Sequence, residues 1–139
     1  MWNLASGEIE TTLRTDSKIT ALRFARGDKT LASGSADGKI SVWDLRSRNQ
    51  LMALKKHTGN VNAIAFSPDE TLLASGGDDR TVVIWEIAKG KARKTLKGHD
   101  LIVTSLAFSP DATLLAVGSG NASVVIWEVQ TGKLSRVLR

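Results

Sequence analysis

The sequence predicts an all-β fold assembled from repeated four-stranded sheets, and three observations carry that prediction. The four tryptophans, Trp2, Trp43, Trp85 and Trp127, stand 41, 42 and 42 residues apart, a period in the range that marks repeat architectures. Whole segments recur at the same offset: Ala-Phe-Ser-Pro-Asp at 65–69 and 107–111, Thr-Leu-Leu-Ala at 71–74 and 113–116, and Val-Val-Ile-Trp-Glu at 82–86 and 124–128. Within one period, short runs of apolar and β-branched residues are broken by Gly, Pro, Asp and Ser, the punctuation of strands and tight turns.

A more diverged copy reads Leu22-Arg23-Phe24, Thr30–Gly34 and Ile40–Asp44, and a leucine follows each tryptophan by eleven residues, at Leu13, Leu54, Leu96 and Leu138. The chain therefore divides into a partial repeat at 1–14 (the end of a third strand, then a fourth strand) and full units at 15–56, 57–98 and 99–139. In the second unit the predicted strands are Val61–Phe66, Thr71–Ser75, Thr81–Ile87 and Ala92–Leu96. Pro68 and Pro110 fall where a type I turn accepts a fixed φ. A run such as Val82-Val83-Ile84-Trp85 is apolar on both sides of the strand, as it must be when neighbours cover both faces of its sheet. The fourth strands carry Lys91, Arg93 and Lys94, or Lys133 and Arg136, charges that suit an exposed edge. An antiparallel unit of about 42 residues covered on both faces is a propeller blade.

Gly98-His99, Phe108-Ser109-Pro110-Asp111, the Leu-Ala-Ser-Gly segments and Trp43-Asp44 resemble the WD-repeat family over essentially the whole chain. The resemblance implies a buried hydrogen-bond chain in each blade, running from a His before the first strand through a Ser or Thr in the second and an Asp in the next turn to the Trp of the third. The second blade has the full set as His57, Ser75, Asp79 and Trp85. The first has Ser33, Asp37 and Trp43, with Thr15 or Asp16 where the His belongs. The third has His99 and Trp127, with Val117 and Asn121 at the other two positions. Buried imidazole and indole groups each need partners, and a connected chain satisfies them together; the third blade is therefore expected to be the least rigidly specified. The resemblance also implies a partner-binding rim at Lys18, Thr20 and Ala36, at Asn60, Asn62 and Asp78, and at Ile102, Thr104 and Gly120. The function it implies is a non-catalytic scaffold for other protein chains or peptides.

Other readings of the same residues are weaker. His57, Ser75 and Asp79 are the inventory of a hydrolytic triad, but the repeat makes them a structural chain. The two histidines stand one blade apart and the chain has no cysteine, so no metal site, no disulfide and no cofactor is expected. Gly118-Ser119-Gly120 lacks the third glycine and following helix of a dinucleotide fingerprint. Arg26-Gly27-Asp28 sits in a hairpin turn, like an adhesion ligand, yet those residues are also ordinary turn formers. No apolar run reaches the roughly 20 residues of a membrane helix and no secretory signal opens the sequence, so a cytoplasmic location is expected.

The net charge is +5. Thirteen of the 19 Lys and Arg fall in or beside fourth strands: Arg14, Arg46, Arg48, Lys55, Lys56, Lys89, Lys91, Arg93, Lys94, Lys97, Lys133, Arg136 and Arg139. That outer band is the alternative reading, a nucleic-acid or anionic-surface binder acting through phosphate contacts. Against it, there is no tyrosine and the tryptophans have structural posts, which leaves no stacking platform.

Three blades fall below the four to eight that propellers usually contain. A bare end face of roughly 500 Å² of apolar surface forfeits about 12 kcal/mol, comparable to the stability of a whole domain. The expectation is a ring closed by homo-oligomerisation, six blades from a dimer favoured over nine from a trimer, unless the chain is a piece of a longer protein. Two segments, 8–13 and 133–138, then compete for one fourth-strand position.

Overall fold

The computed structural model describes residues 1–27 and 29–139. They form twelve strands: β1 Ile19–Phe24, β2 Thr30–Ser35, β3 Lys39–Asp44, β4 Gln50–Lys55, β5 Val61–Phe66, β6 Leu72–Gly77, β7 Val82–Glu86, β8 Lys91–Leu96, β9 Val103–Phe108, β10 Leu114–Ser119, β11 Val124–Glu128 and β12 Leu134–Leu138. These make three antiparallel four-stranded meanders, β1 to β4, β5 to β8 and β9 to β12. The first strands stand side by side, β1 against β5 and β5 against β9.

The middle sheet buries both faces, because successive side chains point to opposite sides and a neighbour covers each. Between the first two sheets, Ala32, Ile40, Val42 and Leu54 meet Val61, Ile64, Leu73 and Trp85. Between the second and third, the same positions shifted by 42 residues meet: Ala74, Val82, Ile84 and Leu96 against Val103, Leu106, Leu115 and Trp127. Val82 and Ile84 thus face one neighbour while Val83 and Trp85 face the other, which accounts for the unbroken apolar run.

Strand β6 runs on through Gly76 and Gly77, which the sequence assigns to a turn. A Cβ at Gly34 would lie 2.6 Å from Val61 Cγ1, and one at Gly76 would clash with Val103 in the same way. The glycines therefore belong to the strand and are the seats on which the next sheet's first strand rests. After Ser67-Pro68-Asp69 and Ser109-Pro110-Asp111 the turn closes by amide-to-carbonyl bonds from Glu70 to Ser67 and from Ala112 to Ser109, both 2.9 Å. Asp69 and Asp111 cap these turns. The Ser109 hydroxyl, then the Thr113 amide and hydroxyl, hold the Asp111 carboxyl down at about 2.

The turn between third and fourth strands gives a prediction. Arg48, Gly90 and Gly132 are equivalent, and all adopt the left-handed conformation, with φ of 63°, 59° and 68°. Arginine pays a Cβ penalty there that glycine avoids. Arg48→Gly is expected to raise stability by about 0.5–1 kcal/mol, read as an increased urea midpoint at unchanged slope.

One expectation fails. Residues 8–13, predicted to be an extra N-terminal fourth strand, form none; Trp2 and Ile9 make an isolated bridge instead. The edge of β11 that such a strand needs is occupied by β12, so the segment satisfies its backbone within itself. Asn3 donates to Glu8, Gly7 to Asn3 and Glu10 to Met1, and the Met1 amino group donates to the Thr11 carbonyl at 2.5 Å. Of Arg26-Gly27-Asp28, Asp28 lies outside the described residues; the Gly27 amide donates to Glu70 Oε1 at 2.8 Å. Among the described residues no helix is long and apolar enough to cross a membrane.

Candidate protein-binding rim and the hydrogen-bond chains behind it

The second blade brings His57, Ser75, Asp79 and Trp85 into one chain. Trp85 Nε1 donates to Ser75 Oγ at 2.8 Å, and Ser75 Oγ lies 2.7 Å from His57 Nε2. His57 Nδ1 stands 2.9 Å from Asp79 Oδ2. The indole can only donate and an ionised carboxylate can only accept; with the imidazole carrying one proton, on Nδ1, the bonds run one way: Trp85 to Ser75 to His57 to Asp79. Partial burial pushes the Asp79 carboxyl up, but donors outweigh it and hold it below its ordinary value: the Thr81 hydroxyl and amide, His57 and the Thr58 amide.

These distances match a hydrolytic triad, but the chemistry does not follow. Ser75 is 0% exposed and its oxygen already accepts the indole N–H, so no substrate carbonyl reaches it. The trio ties the turn before β5 and the turn after β6 to the middle of the sheet.

The first blade keeps only a fragment. Trp43 Nε1 donates to Ser33 Oγ at 3.1 Å, and Thr15, exposed, donates to the Ser17 carbonyl at 2.8 Å instead of filling the histidine position. Asp37 is taken by the Ser35 hydroxyl at 2.6 Å and the Lys39 amide at 3.2 Å. A cavity of about 50 Å³ remains, bordered by Ser33, Ser35, Asp37, Ser41 and the segment Arg14–Ser17. Asp16 lines it without joining the chain.

In the third blade the chain is broken. Both ring nitrogens of His99 and the Trp127 indole nitrogen are buried without a hydrogen-bond partner among the described residues. The two rings pack edge to face at 5.6 Å between centroids. Val117, completely buried, offers no acceptor where Ser75 stands in the second blade. Asn121 accepts from Ser119 and Ser123 rather than from the histidine.

Burial pushes the His99 pKa down, with Asp100 pulling weakly the other way. The unfolded chain therefore takes up this proton first. The stabilisation of the neutral imidazole is present above 6.5, the ordinary value, and is lost as pH falls through it. The thermal midpoint is expected to drop between neutral and mildly acid pH, and His99→Leu should flatten that part of the profile. The Asp79 contribution fades only at still lower pH, below 3.8.

Each rim pair is joined by the backbone. The Ala36 amide donates to the Lys18 carbonyl at 2.9 Å, Asp78 to Asn60 at 3.0 Å and Gly120 to Ile102 at 3.2 Å. The side chains then differ. Asn60 and Asn62 each donate to Asp78, at 2.7 and 2.8 Å, making a polar cluster. Thr20 turns inward, its hydroxyl donating to the Val61 carbonyl at 2.6 Å, and Thr104 donates to Gly118 at 3.2 Å. Ile102 is exposed, as is Leu101 beside it. Sequence reading missed Leu101; the signal was an apolar pair, Leu101-Ile102, where the other blades have Ser17-Lys18 and Gly59-Asn60.

Comparison with known proteins agrees with this geometry. The profile of the family described as WD domain, G-beta repeat, matches residues 7–44, 48–86 and 90–128. The chain is 38% identical over 45 residues to eukaryotic translation initiation factor 3 subunit I of Culex quinquefasciatus; that match covers 32% of this chain and 14% of that protein. It resembles the solved structure of U3-55K (TM-score 0.86, 28% identity, 91% of this chain, 41% of that one). A crystal structure of the RRP9 WD40 repeats is equally similar (TM-score 0.86, 29% identity, 91% of this chain, 40% of that one). The chain thus spans about two fifths of those structures. With three profile matches, each ending one residue after the Trp of a third strand, at Asp44, Glu86 and Glu128, the chain belongs to the WD domain, G-beta repeat family.

Proposed function

We propose that this chain is a non-catalytic protein-interaction scaffold whose ring is completed by further copies of itself, two copies supplying six blades. Its contact surface is the rim formed by Lys18, Asn60, Leu101 and Ile102 just before the first strands, by Asn62 at the start of β5 and by Asp78 just after β6. The observation that supports this is the pairing of an exposed apolar step, Leu101-Ile102, with the Asn60–Asp78–Asn62 cluster one blade away. Such a rim suits a peptide carrying one apolar anchor and flanking hydrogen-bond donors. No step of chemistry is assigned, because the nucleophile-like Ser75 is sealed inside the sheet.

Ile102→Asp, at an exposed position, with Asp78→Ala, at a half-buried one, should abolish capture of a cross-linked partner while leaving the circular dichroism spectrum unchanged. Partners retained by this variant, or a wild type that captures only itself, would overturn the rim assignment. Retention on a polyanion that weakens steeply with salt would instead assign the function to the basic outer edge, where Lys133, Arg136 and Arg139 are exposed.

A further inference from the structure

The 42-residue offset makes the two outer faces, of which the first already has Leu31 and Trp43 buried, readable from the two interfaces already formed. Shifted once more, the back-face positions Ala74, Val82, Ile84 and Leu96 become Ala116, Val124, Ile126 and Leu138 on the third sheet. Shifted the other way, the front-face positions Val61, Ile64, Leu73 and Trp85 become Ile19, Leu22, Leu31 and Trp43 on the first. Leu22 is 58% exposed and Val124 38%. Each is buried at its equivalent position inside the molecule, where Ile64 is 2% and Val82 0% exposed.

Two finer features repeat with them. Gly34 seats Val61 and Gly76 seats Val103; the next seat is Gly118, over which the Ser105 hydroxyl now stands and from which it must turn away, and the residue equivalent to Val61 and Val103 is Ile19. The Thr20 hydroxyl donates across the first interface to the Val61 carbonyl at 2.6 Å, and Asn62 Nδ2 donates across the second to the Val103 carbonyl at 3.2 Å. Thr104 is the next donor in that series, and its described bond stays within its own sheet.

We infer that a second copy of this chain docks head to tail, the front of its first sheet on the back of the third, with its Ile19 over Gly118 and the Thr104 hydroxyl donating to the Ile19 carbonyl. The inference rests on the reading of a ring built from copies and names the surface that builds it. The contact is heterologous, front to back, so each chain offers both halves. Residues 1–13 border the front-face groove through Trp2, Leu4 and Leu13. The backbone bonds described for them are internal to the segment, so among the described residues no hydrogen bond ties it to the sheet, and docking requires it to move aside.

Leu22→Asp and Val124→Asp, each at an exposed position, test this by solution mass. Wild type should run at twice the mass of one chain or more, and each variant alone at one. Mixed in equal amounts the two should recover a two-chain species, because the intact back of the Leu22→Asp chain meets the intact front of the other. Variants that keep the wild-type mass would overturn this surface while leaving self-assembly standing, and a mixture that recovers nothing would exclude the front-to-back contact. A wild type that stays at the mass of one chain would overturn both the surface and the ring of copies.

Discussion

Ser75→Ala lowers the stability of the fold by about 2–5 kcal/mol, more than a buried hydroxyl usually contributes, because one oxygen serves two partners. Without it the Trp85 indole loses its acceptor and His57 Nε2 its donor, at 2.8 and 2.7 Å respectively. Both groups lie inside the sheet, 3% and 2% exposed, where water does not replace them. The comparison that separates this mechanism from loss of packing is Ser33→Ala in the first blade. There the hydroxyl accepts from Trp43 at 3.1 Å and donates only at long range, to the Ser41 carbonyl at 3.5 Å, so the cost should be about 1–2 kcal/mol. Equal costs at the two sites, measured as denaturant midpoints, would show that the relay through His57 adds nothing.

The fold was legible because one offset serves every structural requirement at once. Strand, turn, seat glycine and tryptophan all return after 42 residues, so an error in one copy is corrected by another. The second blade's chain was legible for the same reason. What sequence reading missed lies where copies differ by one small residue. Positions 35, 77 and 119 are Ser, Gly and Ser. Ser35 captures Asp37 and Ser119 captures Asn121, both at 2.6 Å. Gly77 has no side chain to compete, and Asp79 is left for His57. Motif spacing alone cannot reveal this local competition between side chain and turn acceptor. The N-terminal segment misled for a different reason. Glu8–Leu13 has the pattern of a fourth strand, but a pattern specifies a strand only when a partner edge is free, and β12 holds that edge.

The same comparison identifies the repair of the third blade. Val117→Thr should raise stability by about 1–2 kcal/mol, although it places a hydroxyl at a fully buried site. Valine and threonine have nearly the same shape, so packing against Leu115 and Trp127 changes little. An unpaired hydroxyl there would cost about 1–3 kcal/mol. This one is expected to meet the two groups that now lack partners, accepting from Trp127 Nε1 and donating to His99 Nε2. A loss of stability on this substitution would mean that the edge-to-face packing of His99 on Trp127 holds the rings away from residue 117. Adding Ser119→Gly and Asn121→Asp should then free a carboxylate for His99 Nδ1, as Gly77 frees Asp79. The titration supplies the sharper readout. In the wild type burial holds the His99 pKa down, and acid destabilises the blade. Beside a carboxylate the charged imidazole is favoured, so the His99 pKa in the triple variant should move up and its acid sensitivity diminish. An unchanged profile would mean that His99 and residue 121 never meet, whatever the gain in stability.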